Sequence, residues 1–194
     1  MRWVSVVWIL LACGVEPDAV PTESDALGQS IGAGEWALAG GHRIVADASG
    51  LRIEGPSAQV LSGELLGAPA VAPNGRFVFS ERVGEARLRA VQRDGTEWAV
   101  HTVVAAGDPG RAAISNDGDT IAYVASAGGL PAVFVVPFSG GEPVQLTNVG
   151  VSHDPSRGGP PPGFVPPPHE APLAFEGDTV TWTAPDGRHT VEVP

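Results

Sequence analysis

Apolar and polar residues alternate along most of this chain. Phe77-Val78-Phe79, Ile121-Ala122-Tyr123, Val133-Phe134-Val135 and Val180-Thr181-Trp182 each sit in short runs whose large side chains recur at a period of two. That spacing predicts strands with two distinct faces. No segment beyond the first twelve residues keeps apolar positions at a helical period. Gly-bearing pairs punctuate the runs: Asn74-Gly75, Asp94-Gly95, Asp117-Gly118, Gly128-Gly129, Gly140-Gly141 and Asp186-Gly187. Such pairs supply the left-handed backbone of tight turns, so strand, turn and strand predict antiparallel meanders.

The meanders repeat. Gly118-Asp119-Thr120-Ile121-Ala122-Tyr123 returns as Gly177-Asp178-Thr179-Val180-Thr181-Trp182, and Asn74-Gly75-Arg76-Phe77-Val78-Phe79 is a looser copy. The fullest unit has strands at 112–115, 120–124, 132–136 and 143–147. A second starts at Ala72-Pro73-Asn74-Gly75 and ends in the strand 97–101. A first unit is aligned on Trp36-Ala37-Leu38, Ile44-Val45-Ala46 and Leu51-Arg52-Ile53, which sets Ile44 against Phe77 and Ile121. The last has Leu173-Ala174-Phe175, Val180-Thr181-Trp182 and Thr190-Val191-Glu192-Val193, and then no fourth strand. A unit of this size buries its faces only by stacking on neighbours.

The fullest unit resembles the TolB-type, WD-like β-propeller repeat. Ser115-Asn116-Asp117-Gly118 stands where the family has Ser-Pro-Asp-Gly, followed by Ile121-Ala122-Tyr123, Val133-Phe134-Val135, Gly140-Gly141 and Leu146-Thr147. The resemblance implies an all-β fold: a propeller-like array of about four antiparallel four-stranded blades over residues 30–194, as a small or an incomplete propeller. A Pro-rich insertion at 151–172, with eight prolines, interrupts the last unit. In closed propellers a strand from one terminus completes the blade begun by the other. The segment 27–36, with Ile31 and Trp36, is therefore expected beside 189–193.

Residues 1–12 place Arg2 before an apolar run too short to span a bilayer and suited to a signal-peptide core. The run ends in Leu10-Leu11-Ala12-Cys13, which resembles the bacterial lipobox. That resemblance implies a lipoprotein signal peptide over 1–12 and lipidation of Cys13, with acyl chains as the membrane anchor. Gly14 after the cysteine, rather than Asp, implies the outer membrane. Residues 13–29 read as the acylated cysteine and an acidic, polar, disordered tether. Cys13 is the chain's one cysteine, so no intrachain disulfide forms.

Composition narrows the partners. The formal charge is −11 and all eleven basic residues are Arg. No basic cluster marks a nucleic-acid surface. His42, His101, His153, His169 and His189 form no metal-ligand spacing. Residues 116–119 resemble part of a calcium loop, but a hairpin turn explains them. No Gly-x-Ser-x-Gly elbow or dinucleotide loop is present. Trp36, Trp98 and Trp182 are expected in the core. The expectation is a non-catalytic envelope protein with no cofactor, no catalytic residue and no metal site, binding another envelope protein. The alternative is a ligand-binding or enzymatic propeller lipoprotein that takes a small molecule, glycan or metal at the blade axis.

Overall fold

In a computed structural model of the chain, residues 30–147 and 173–194 are described, apart from 33, 48–49, 63, 129 and 185–186. The signal segment, Cys13, the tether, the insertion 151–172, His153 and His169 lie outside the described residues.

Among the described residues, sixteen strands form four antiparallel sheets. The first holds β1 (Ser30–Gly32), β2 (Glu35–Leu38), β3 (His42–Asp47), β4 (Gly50–Glu54) and β5 (Gln59–Ser62) in that order. The second holds β6 (Ala70–Val71), β7 (Phe77–Val83), β8 (Glu85–Asp94) and β9 (Glu97–Val104). The third holds β10 (Ala112–Ile114), β11 (Thr120–Ala127), β12 (Leu130–Pro137) and β13 (Val144–Gln145). The fourth holds β14 (Ala174–Glu176), β15 (Thr179–Ala184) and β16 (Gly187–Glu192). This is the expected all-β, propeller-like array of four meanders, with five strands in its first sheet and three in its last.

Apolar faces join the sheets in line. Ile44, Leu51 and Ile53 of the first sheet pack on Phe77, Phe79, Val91 and Trp98 of the second. Val78, Leu88 and Ala90 of the second meet Ile121, Tyr123 and Val136 of the third. Ala122, Val124, Val133 and Val135 of the third meet Val180 and Trp182 of the fourth. None of these three clusters joins the fourth sheet to the first.

The expected closure is overturned. The segment 30–32 pairs with its sequence neighbour β2, Ser30 opposite Trp36 and Gly32 opposite Glu35. A local hairpin closes a far shorter loop than a strand reaching the other terminus. Gly34 makes it possible: its φ is +77°, and a Cβ there would lie 2.3 Å from the Ala46 carbonyl oxygen. The Ala46 N–H donates to the Gly34 carbonyl at 2.7 Å.

The first unit's alignment shifts by one residue. Ile44 faces the next sheet, as Val78 and Ala122 do. Arg43, not Ile44, therefore stands where Phe77 and Ile121 stand. The cross-strand pair Ile121–Val136 of the third sheet corresponds to Arg43–Glu54 in the first, and Tyr123–Phe134 to Val45–Arg52. Where the third sheet has Ile121, Phe134 and Val136, the first sheet's outward face carries Arg43, Arg52 and Glu54. Arg43 Nη2 lies 2.8 Å from Glu54, Arg43 Nη1 3.6 Å from Glu35, Arg52 Nη1 2.6 Å from Asp47 and Arg52 Nε 2.8 Å from Glu54. Hydrogen bonds from Arg43 and then Arg52 hold the Glu54 carboxyl below its ordinary range.

The other end follows the same rule. Ala122–Val135 and Val124–Val133 correspond to Thr181–Thr190 and Thr183–Arg188. Arg188 also pairs with Glu176 on that face. Stacked repeats need polar outer faces on their terminal units, because an apolar one would stay open to association. Both ends of this array meet that requirement.

Candidate functional site

The residues that carry the repeat resemblance are occupied in joining sheets. Gly118 N–H donates to Ser115 O, and Gly75 N–H to Ala72 O, so the two first-to-second-strand turns have matching folds. They touch: Asn74 Nδ2 donates to Asp117 O at 2.6 Å, Arg76 pairs with Asp119, and the Arg76 guanidinium lies 4.9 Å from the Phe138 ring centre. Asp117 accepts from Ser115 Oγ at 2.5 Å and from the Asp119 N–H at 3.0 Å. Those bonds, the Ser115 one foremost, lower its carboxyl below the ordinary range. Among the described residues, no group of three or more His, Cys, Asp and Glu is placed to hold a metal ion.

The histidines stand apart. His42 is buried, with Nδ1 3.1 Å from Ala39 O, and Ser57 N–H donates to its Nε2 at 3.3 Å. That pattern fits the Nδ1–H tautomer in a niche walled by Trp98, whose ring centre is 5.4 Å away. His101 Nε2–H donates to Phe138 O at 2.8 Å. His189 stacks on Trp182 at 5.4 Å. Trp98 and Trp182 are buried and Trp36 packs beside the first cluster, as core residues.

Two features were not legible in the sequence. Glu81 is buried at one end of β7, its side chain 3% exposed, with Arg89 Nη1 at 2.9 Å and Arg87 Nε at 3.6 Å. The Ser80-Glu81-Arg82 break in an apolar strand was the available signal. A buried carboxylate held by two cations is a structural pair, since losing either partner leaves uncompensated charge.

The second feature is a surface depression at the β7–β8 hairpin tip. Arg82, Gly84, Glu85 and Ala86 line a groove of about 550 Å³ together with the connection 106–108. A neighbouring hollow of about 520 Å³, sharing Gly84–Ala86, continues past Arg87 and Thr102. Val83 is 56% exposed there. Arg82 reaches across to Asp108 at 3.8 Å. Among the described residues, Asp108 is the one non-glycine with a positive φ, at 51°. The grooves bring together no nucleophile and base pair of the kind acyl or phosphoryl transfer needs.

No protein-family model matches the chain. No curated protein is significantly similar to it. Among solved structures, 14 chains are similar. One is the crystal structure of TolB from Acinetobacter baumannii, 16% identical, with a TM-score of 0.39 and a match that covers 82% of this chain. The match takes in 39% of that protein, so the chain spans about two fifths of its length. A likeness of that size assigns this chain no function.

Proposed function

We propose that the chain is a lipid-anchored protein of the bacterial cell envelope whose propeller-like array binds another protein without catalysing a reaction. The carrying observation is the pair of adjoining hollows at the β7–β8 tip, one lined by the exposed Val83 with Glu85 and Arg87, the other by Arg82, Glu85 and a strained Asp108. Strained non-glycine backbone gathers at functional sites. The address rests on Leu10-Leu11-Ala12-Cys13 after its apolar run. Acyl chains on Cys13 would hold the array at the outer membrane, with residues 14–29 as the tether.

The test joins both parts. Cells fed labelled fatty acid should label the wild type and not Cys13→Ser. The tagged wild type, solubilised from envelope in mild detergent, should retain a stoichiometric protein that Val83→Glu loses while keeping its melting temperature. A wild type that never takes up label sinks the anchoring. A wild type that instead retains a glycan or metal through purification would favour the ligand-binding reading.

A further inference from the structure

The fourth sheet stops at β16. The second and third sheets each have one more strand at that place, β9 and β13, and among the described residues the fourth has none. The register shows which backbone groups this leaves open. Val193 N–H donates to Asp178 O, and Val193 follows the β15–β16 register in which Val180 opposes Val191 and Trp182 opposes His189. Hydrogen-bonded pairs alternate along an antiparallel ladder, so Val191 and His189 bond β15. Arg188, Thr190 and Glu192 turn their N–H and C=O groups outward. In the third sheet the corresponding groups are used: Val133 O accepts from Leu146 N–H, and Val135 opposes Val144 on β13.

The three outward residues also share a face. Their side chains lie on the fourth sheet's exposed side, away from Val180 and Trp182. Read from Thr190, the order Arg188, Thr190, Glu192 is complementary to its own reverse. An antiparallel copy centred on Thr190 sets Thr190 against Thr190, Arg188 against Glu192 and Glu192 against Arg188. Glu192 has no basic partner among the described residues, and such a copy brings Arg188, already paired with its own Glu176, within reach to bridge both carboxylates.

We infer that the open edge of β16 pairs with β16 of a second copy of this chain, about a two-fold axis normal to the sheet and midway between the two copies of Thr190. The axis keeps both exposed faces on the same side, so the opposed side chains meet. Each of the three residue pairs exchanges two backbone hydrogen bonds. Opposite charges and paired threonines facing across strands are both stabilising. Edge strands resist pairing through charges, proline or bulges. β16 has no proline or bulge, and its two charges stand in an order that accepts itself. A generic extended peptide would lack that match, which is why the occupant is a second copy.

The test is sedimentation of the purified full chain in non-ionic detergent over a range of concentrations. The wild type should show a monomer–dimer equilibrium. Arg188→Glu alone, or Glu192→Arg alone, turns both charge pairs into like-charge pairs and should weaken the dimer by about tenfold or more. Combining the two substitutions in one chain should restore it. Mixing the two single variants should give a heterodimer, which also shows that each is folded. Thr190→Pro removes an N–H that the monomer does not use, so it should abolish the dimer and leave melting unchanged. A wild type that stays monomeric overturns the inference. So does a dimer indifferent to the single variants, or a combined variant that fails to recover.

Discussion

Gly118→Ala separates the backbone and contact contributions at the junction of the second and third sheets. Gly118 has φ +74°, where a side chain costs about 1–2 kcal/mol. Its Cβ would also sit 2.5 Å from Asn74 Nδ2 and 2.7 Å from Asn74 Oδ1. Asn74 must then move, which breaks its bond to Asp117 O and strains the one it accepts from Arg76 N–H. Each such bond is worth about 0.5–1.5 kcal/mol net. The expected loss is about 2–4 kcal/mol. Gly75 is the control: its φ is +82° and a Cβ there meets nothing within 4 Å. Gly75→Ala should lose only the backbone part, about 1–2 kcal/mol. In an Asn74→Ala background the excess at Gly118 should vanish, giving a coupling of about 1–2 kcal/mol in the cycle. Urea unfolding followed by tryptophan fluorescence measures all four chains. If Gly118→Ala matches Gly75→Ala to within about 0.3 kcal/mol, or keeps its excess without Asn74, the turn-to-turn contact does not hold the sheets together.

Two other expectations rest on different parts of the molecule. Burial pushes the Tyr123 hydroxyl up to about 12. The fold favours its neutral form, so this stabilisation is full below the ordinary tyrosine value of about 10 and is lost as pH rises from there towards 12. Tyr123 is the chain's one tyrosine, and phenolate absorbance appearing near pH 10 in the folded protein would contradict the burial. Replacing the outward pair with Arg43→Ile and Glu54→Val copies the inner pair Ile121–Val136 onto the first sheet. Concentration-dependent association should follow, and a variant as monodisperse as its parent would show that the charges are not what keeps that face free.

Most of the meander was readable because alternation and Gly-bearing turns are local signals. β7, β8, β11, β12 and β15 fall where the alternating runs placed them, and among the described residues the last sheet has three strands. Alternation does not say which face looks at which neighbour. In His42-Arg43-Ile44-Val45-Ala46 an uninterrupted apolar triplet hides the phase, so Ile44 was set against Phe77 one residue out of step. That step conceals the charged outward face of the first sheet. β5 was missed because Gln59–Ser62 carries little apolar weight, and Val60 is exposed. The groove was out of reach for another reason. Arg82 lies near the end of β7 and Asp108 in the connection after β9, and only the fold brings them together.

Among the described residues the sheets lie in line, with two ends and no apolar cluster joining the fourth to the first. In a ring, freeing any one blade breaks two apolar interfaces; here the first or fourth sheet comes away by breaking one. The second and third sheets each contribute to two clusters. Local opening in repeat arrays follows such nearest-neighbour terms. The protein therefore has a gradient of lifetimes along its length, with short-lived contacts outside and long-lived ones across β7, β8, β11 and β12. A partner engaging the β7–β8 tip grips the slow, persistent part of that gradient. Pairing at β16 would lengthen the life of the fast end, and would do so only in the presence of another copy.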